Sequence, residues 1–107
     1  MRRGEIYRVY RREGDPKKYC SYVVVSRRAL ITSTYSTVIC APVFSSGEGL
    51  LTQVPVGQGE GLKHESWIMC DNLRSIRKAD LTQFVGSLSQ TKLQELDVAL
   101  TIALGLG

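Results

Sequence analysis

The sequence predicts a small, mainly β domain with some α structure: a closed or partly closed β-barrel carrying one C-terminal amphipathic helix. Three observations predict it. Short β-branched and aromatic runs, separated by turn-forming residues, dominate the chain as far as about residue 86. Helical spacing of apolar residues is clear only after Ser89. The chain has 107 residues, 43% of them hydrophobic, which suits one core, so residues 1–107 are expected to form a single domain.

Gly4-Glu5-Ile6-Tyr7-Arg8-Val9-Tyr10 is rich in β-formers with arginine interleaved, the pattern of a half-buried strand. The polar stretch from Arg11 to Lys18, with Gly14-Asp15-Pro16 inside it, reads as a loop. Ser21-Tyr22-Val23-Val24-Val25-Ser26 is apolar on both faces and too short for a helix, hence a central strand. One helical turn fits Arg27 to Ile31, and Thr37 to Phe44 forms the next strand. Ser45 to Gly49 has turn composition and strand character resumes from Leu50 to Val56, which predicts a hairpin. Pro55 has no N–H for a ladder, so its strand belongs at an edge or a bulge.

Gly57 to Gly61 reads as a connecting loop, since neither the Gly-Lys-Ser/Thr of a phosphate-binding loop nor the long helix of a dinucleotide fold follows it. Ser66 to Cys70 and Phe84 to Leu88 complete the strands. Ser89 can cap the closing helix, whose Leu93, Leu96, Leu100 and Ala103 or Leu104 share one stripe, and Gly105 can end it. That stripe is expected to cover one end of the barrel or to pack at a subunit interface.

Composition removes several classes. Gly 10 and Pro 3 are too few for a disordered or collagen-like chain, and no apolar run approaches the ~20 residues that cross a bilayer. Met1-Arg2-Arg3-Gly4-Glu5 leads into a strand pattern without an apolar signal region, so no export signal is read and the cytoplasm is the expected compartment. Cys20, Cys40 and Cys70 are odd in number and widely spaced, and His64 is the single histidine, so reduced thiols and no metal or cofactor are expected. Cys40 and Cys70 sit inside apolar runs and read as small core hydrophobes. The net charge of +4 is unevenly placed, because residues 1–31 hold nine basic and three acidic side chains. Such a basic N-terminal third reads equally as a polyanion-binding face or as a solvated surface.

With one histidine and no paired-carboxylate, Ser-His-Asp or metal pattern, any catalysis has to use Arg, Lys, Asp, Ser or Cys. Metal-free RNA cleavage suits that set. The ribose 2′-hydroxyl is an internal nucleophile, so the protein has only to position the phosphate, stabilise its extra negative charge and move two protons. An arginine fork matches phosphate oxygens. Tyr7, Tyr10, Tyr19, Tyr22 and Trp67 stand beside basic residues where unpaired bases could stack, although Tyr7, Tyr22 and Trp67 read better as packing residues.

Four motifs in order then carry a resemblance: Arg3-Gly4-Glu5-Ile6-Tyr7, Tyr22-Val23-Val24-Val25-Ser26, Cys40-Ala41-Pro42-Val43, and Cys70-Asp71-Asn72-Leu73-Arg74-Ser75-Ile76 ahead of the final helix. From Arg3 to Leu104 the chain resembles the MazF/PemK family of toxins. The resemblance implies an SH3-like barrel and a homodimer. It further implies the toxin of a type II toxin–antitoxin system, a metal-independent endoribonuclease that cuts single-stranded mRNA through a 2′,3′-cyclic phosphate and is inhibited by a cognate antitoxin. A non-enzymatic RNA-binding or gyrase-binding barrel of the same fold is the alternative.

Position by position, the resemblance assigns roles and exposes two departures. Where the family places an Arg-Pro pair before its second strand, with the arginine as acid/base and phosphate stabiliser, this chain has Cys20-Ser21. Where the family tends to place Thr or Ser after the third strand, the match falls on Phe44, and a shift of one residue brings in Ser45. Cys20, Ser45 and Asp71 therefore mark the catalytic positions, and Lys17, Lys18, Arg27, Arg74 and His64 the RNA-binding ones. An ordinary Asp71–Arg74 salt bridge and a solvent-facing His64 are the structural alternatives. A thiol holds no permanent charge and makes no bidentate phosphate contact. Three readings of Cys20 stay open: Lys17, Lys18, Arg27 or Arg28 supplies the charge; the chain binds RNA or antitoxin without cutting; or Cys20 is an inactivating replacement.

Overall fold

A computed structural model of the chain describes residues 1–10 and 18–106. The alternation of Ile6 and Tyr7 with polar neighbours produces β1 (Glu5–Tyr10), and the Val-rich run produces β2 (Tyr19–Val24). A single helical turn, α1 (Arg28–Ile31), leads to β3 (Thr37–Phe44), which has the bounds read from the sequence. There follow β4 (Gln53–Val56), β5 (Ser66–Met69), β6 (Arg74–Arg77), β7 (Gln83–Ser87) and the helix α2 (Gln90–Ala103), with 3₁₀ turns at Gln58–Glu60, Cys70–Asn72 and Lys78–Asp80. None of the described helices is long and apolar enough to cross a membrane.

The strands form one antiparallel, curled sheet in the order β4-β5-β3-β2-β1-β7, with β6 pairing β3 alongside β5 on the same edge. The eight-residue β3 organises it: Thr37 to Cys40 pair with β6, Val43 and Phe44 pair with β5, and Cys40 to Val43 pair with β2 on the other edge. Between the two ends of the sheet, backbone takes the place of side chains. A Cβ on Gly61 would meet the Val85 carbonyl and one on Gly86 the Glu60 carbonyl, so the 3₁₀ turn at residues 58–60 lies directly against β7. Gly61 also holds φ +92°, a conformation glycine alone adopts without strain. The result is a half-barrel drawn together by a glycine contact, in agreement with the expected partly closed form.

Because β2 is apolar on both faces, it separates two cores. Ile6, Val23, Ala41, Val54, Ile68 and Leu96 pack under α2, while Tyr7, Tyr22, Val24, Ile31, Val38, Cys40 and Leu81 pack on the other side. Full burial of each large aliphatic side chain contributes about 1.5–3 kcal/mol. Ser89 caps α2, its hydroxyl accepting from the Lys92 N–H at 3.2 Å, and Gly105 follows the helix end at φ +67°. Leu93, Leu100 and Ala103 pack on the core beside Leu96, so the stripe covers the barrel as expected, but Leu104 is exposed. Arg3 fixes the helix to the strands through Asp97 at 2.7 Å and the Val25 carbonyl at 3.0 Å.

Three expectations fail. The hairpin between β3 and β4 does not form: β5 lies between them, with Val54 opposite Ile68 and Val43 opposite the same residue. Residues 45–52 instead cross as a loop, held by the Glu48 N–H donating to Gln53 Oε1 at 2.9 Å. Pro55, as its missing N–H requires, lies exposed on the edge strand β4. The second miss is β6, whose Arg-Ser-Ile-Arg sequence is too polar and short to read as a strand. The third is Trp67, which is half-buried over Gly47 rather than in the core.

Candidate functional site

Antiparallel register aligns Arg8 with Ser21 and Ser21 with Val43, so these three side chains share one face of the sheet. Toward the ends of the strands that face opens into a groove of about 530 Å³. One wall is Arg8 of β1 with Tyr19, Cys20 and Ser21 of β2, and the floor continues through Val43 and Phe44 to Ser45 and Ser46. The opposite wall is the loop before β5, which contributes Leu62, Lys63, His64 and Ser66.

Arg8 is held in place by aromatic contact. Its guanidinium carbon stands 4.9 Å from the centroid of the Tyr19 ring, an interaction of about 0.5–1 kcal/mol at exposed sites. Tyr19 in turn lies 5.7 Å from Tyr10, and the two rings are 37% and 38% exposed. Such half-open aromatic surface beside cations is the kind on which bases stack.

Cys20 stands between the groove and the opposite face of β2. It borders the groove, yet its side chain packs with the Tyr22 cluster, and the thiol donates to the Ser21 carbonyl at 3.6 Å. The Tyr22 hydroxyl accepts from Arg74 Nη1 at 3.0 Å. Burial holds that phenol above its usual range and the neighbouring Cys20 adds to the shift, against the opposing pull of Arg74.

Among the positions singled out in the sequence, Cys20, Ser45 and His64 come together in the groove. Asp71, Arg74 and Arg27 do not line it. Asp71 Oδ2 accepts from Thr52 Oγ1 at 2.6 Å, and Arg27 precedes α1 without a side-chain cap bond. The Asp71–Arg74 salt bridge, the structural alternative to a role in RNA binding, is not made among the described residues, where the ion pairs are Arg3–Asp97, Arg77–Asp80 and Lys92–Glu95. Lys18 is exposed immediately before Tyr19, and Lys17 lies outside the described residues. Lys78 turns inward, donating to the carbonyls of Leu30 and Ser33 at 2.9 and 2.7 Å.

Arg8 and Lys63 were not singled out in the sequence as site residues. Arg8 blends into the alternation of a half-buried strand; Lys63-His64, a cationic pair directly after the glycine-rich loop, was the available signal. Cys40 and Cys70 are buried, and burial pushes their thiols up to about 12 and about 11, with Asp71 adding to the latter, which makes them inert core residues. No group of three His, Cys, Asp or Glu side chains among the described residues is placed to hold a metal ion.

Comparison with known proteins places the fold and the family. The solved Mycobacterium tuberculosis toxin MazF-mt6 superposes with a TM-score of 0.82 at 26% identity, over 96% of this chain and 98% of that one. A mycobacterial endoribonuclease solved in complex with its cognate antitoxin shares the fold, with a TM-score of 0.83 over 98% of this chain and 95% of that one at 23% identity. Endoribonuclease MazF3 of Mycobacterium tuberculosis is 33% identical over 66 residues, which are 62% of this chain and 64% of that protein. The chain thus spans about 64% of the length of this curated relative. Residues 2–104 match the family described as PemK-like, MazF-like toxin of type II toxin-antitoxin system, and the chain belongs to that family.

Proposed function

We propose that the chain is an endoribonuclease that cuts single-stranded mRNA in the groove between β2 and the loop before β5, leaving a 2′,3′-cyclic phosphate. The observation that carries this reading is the convergence of Arg8, Lys63, His64, Ser45 and Cys20 on one open groove. Cations hold the phosphodiester, the half-exposed tyrosines offer base-stacking surface, and the substrate's own 2′-hydroxyl is the nucleophile. The name of the relative MazF3 points the same way. Ser45 stabilises the reacting phosphate from the end of β3, and Lys18 grips the flanking backbone. The partners in this reading are a second copy of the chain and a cognate antitoxin whose acidic segment lies across the basic groove.

Incubation with a defined RNA in EDTA tests it. Site-specific cuts ending in cyclic phosphate support the nuclease. Retention of RNA without cutting supports the second reading, a binding barrel, which the thiol at position 20 favours. Neither cutting nor retention points to a protein target.

A further inference from the structure

We propose that Arg8 and His64 supply the phosphate charge and the proton transfer in this groove, at the place where the family resemblance leads one to expect an arginine at position 20. The inference rests on the endoribonuclease reading and names the residues that perform it.

Transphosphorylation of RNA makes three demands: a proton leaves the 2′-hydroxyl, a proton reaches the 5′-oxygen, and the phosphorane's added negative charge is met. The thiol of Cys20 meets none of them with a fixed charge. Of the other described arginines, Arg3 is engaged with Asp97, Arg74 with Tyr22 on the far side of β2 and Arg77 with Asp80, while Arg2, Arg27 and Arg28 do not line the groove. Among the described residues Arg8 is the guanidinium that lines the groove, and its contact with the Tyr19 ring holds the fork ready before substrate arrives.

His64 stands on the opposite wall. Among the described residues nothing hydrogen-bonds its ring; only its carbonyl is engaged, accepting from Ser66 Oγ at 3.1 Å. Among the described residues, the charged and titratable groups that line the groove with it are Lys63, Arg8, Tyr19 and Cys20. Imidazole is the side chain that both takes and returns a proton near neutral pH.

The step balances without a co-reactant. The 2′-oxygen bonds to phosphorus as its proton passes to the His64 ring, the bond from phosphorus to the 5′-oxygen breaks, and the imidazolium returns the proton to that oxygen. Arg8 holds the non-bridging oxygens throughout. The products are a 2′,3′-cyclic phosphate and a 5′-hydroxyl.

The test is single-turnover cleavage of one RNA in EDTA from pH 5 to 9 by the full chain, His64→Gln, Arg8→Ala and Arg8→Lys, each checked by thermal melting. His64→Gln should slow cleavage by about 10²–10⁴-fold and lose the acid-side rise of rate with pH. It should still bind RNA carrying a 2′-deoxyribose at the cut site within a few-fold of the parent. Arg8→Ala should lose about 10²–10³-fold, and Arg8→Lys should recover part of that. If the parent cuts and His64→Gln keeps both rate and acid limb, or Arg8→Ala cuts normally, the assignment is wrong while the nuclease reading survives. A parent that does not cut overturns both.

Discussion

Cys20→Arg places two sources of charge in competition. The native side chain packs toward Tyr22, whose hydroxyl already accepts from Arg74 at 3.0 Å. A guanidinium resting on that side would stand near the Arg74 guanidinium, at a separation taken as about 6 Å for an order of magnitude. Two like charges at that distance repel by about 3 kcal/mol at an effective dielectric constant of 20 and by about 0.7 kcal/mol in water. Arg74 is exposed and Cys20 half-buried, so the cost lies nearer the lower figure and turns the new side chain toward the groove. There it faces the same phosphate that Arg8 is argued to hold. A first positioned donor for the developing charge is worth about 10²–10³ in rate; a second, added where charge is already supplied, gains far less. Cys20→Arg should therefore raise single-turnover cleavage in EDTA by less than about tenfold, and lower Tm by a few degrees through the residual repulsion. A gain of a hundredfold or more would refute the reasoning, showing that the groove lacked its cation and that Arg8 does not replace it.

Four further predictions follow from the same structure. Tyr22→Phe removes a buried hydroxyl and leaves Arg74 to solvent, so it should cost about 0.5–1.5 kcal/mol in chemical denaturation while cleavage stays near the parent's. Gly86→Ala drives a methyl into the Glu60 carbonyl where the ends of the half-barrel meet, and should destabilise by at least about 1–3 kcal/mol, seen as a lowered denaturation midpoint. Thiol titration of the native protein with a disulfide reagent should modify Cys20 first, with Cys40 and Cys70 reacting only on unfolding. The raised thiols of Cys40 and Cys70 also set a pH dependence. The unfolded chain loses those protons first, so stability is full below about pH 9 and falls as pH rises toward about 11 for Cys70 and about 12 for Cys40, by about 1.4 kcal/mol per unit for each thiol. Denaturation at pH 7 and 10 measures it, and a midpoint that does not move would contradict the burial.

What could be read from the chain divides by the range of the interactions involved. Thr37–Phe44 has the predicted bounds because its apolar run is bracketed by polar residues, and α2 runs between Ser89 and Gly105 because its caps are local chemistry. Pairing is not local. Nothing in Ser45 to Gly49 announces that β5, more than ten residues further on, takes the edge of β3 that a hairpin would have used. β6 escaped because its partner β3 supplies the order that Arg74–Arg77 lacks by itself. At the site, Ser45, His64 and Cys20 were legible as chemical types, but their meeting depends on the loop before β5 bordering the same groove as β2. Arg8 was hidden for the opposite reason: its pattern fits a strand perfectly well, and only register with Ser21 and Val43 turns it toward the groove.

Charge counting has the same weakness. The surplus within residues 1–31 suggests one basic face, but the fold disperses it. Arg3 clamps α2, Arg27 and Arg28 lie at α1, and of the described N-terminal cations Arg8 lines the groove while Lys18 stands immediately before groove-lining Tyr19. Lys63 and His64 come from the later part of the chain, whose own formal balance is acidic. The proposed polyanion site therefore draws on two distant segments and not on the basic third alone. Phosphate affinity and catalytic charge then separate physically: Lys63 and Lys18 can hold a backbone loosely through flexible point charges, whereas the aromatic-braced fork of Arg8 meets the fixed geometry that a reacting phosphate requires. On the proposed reading, replacing Lys63 should weaken RNA binding and its salt dependence in a filter-binding titration, whereas replacing Arg8 should remove single-turnover rate from RNA that is still bound.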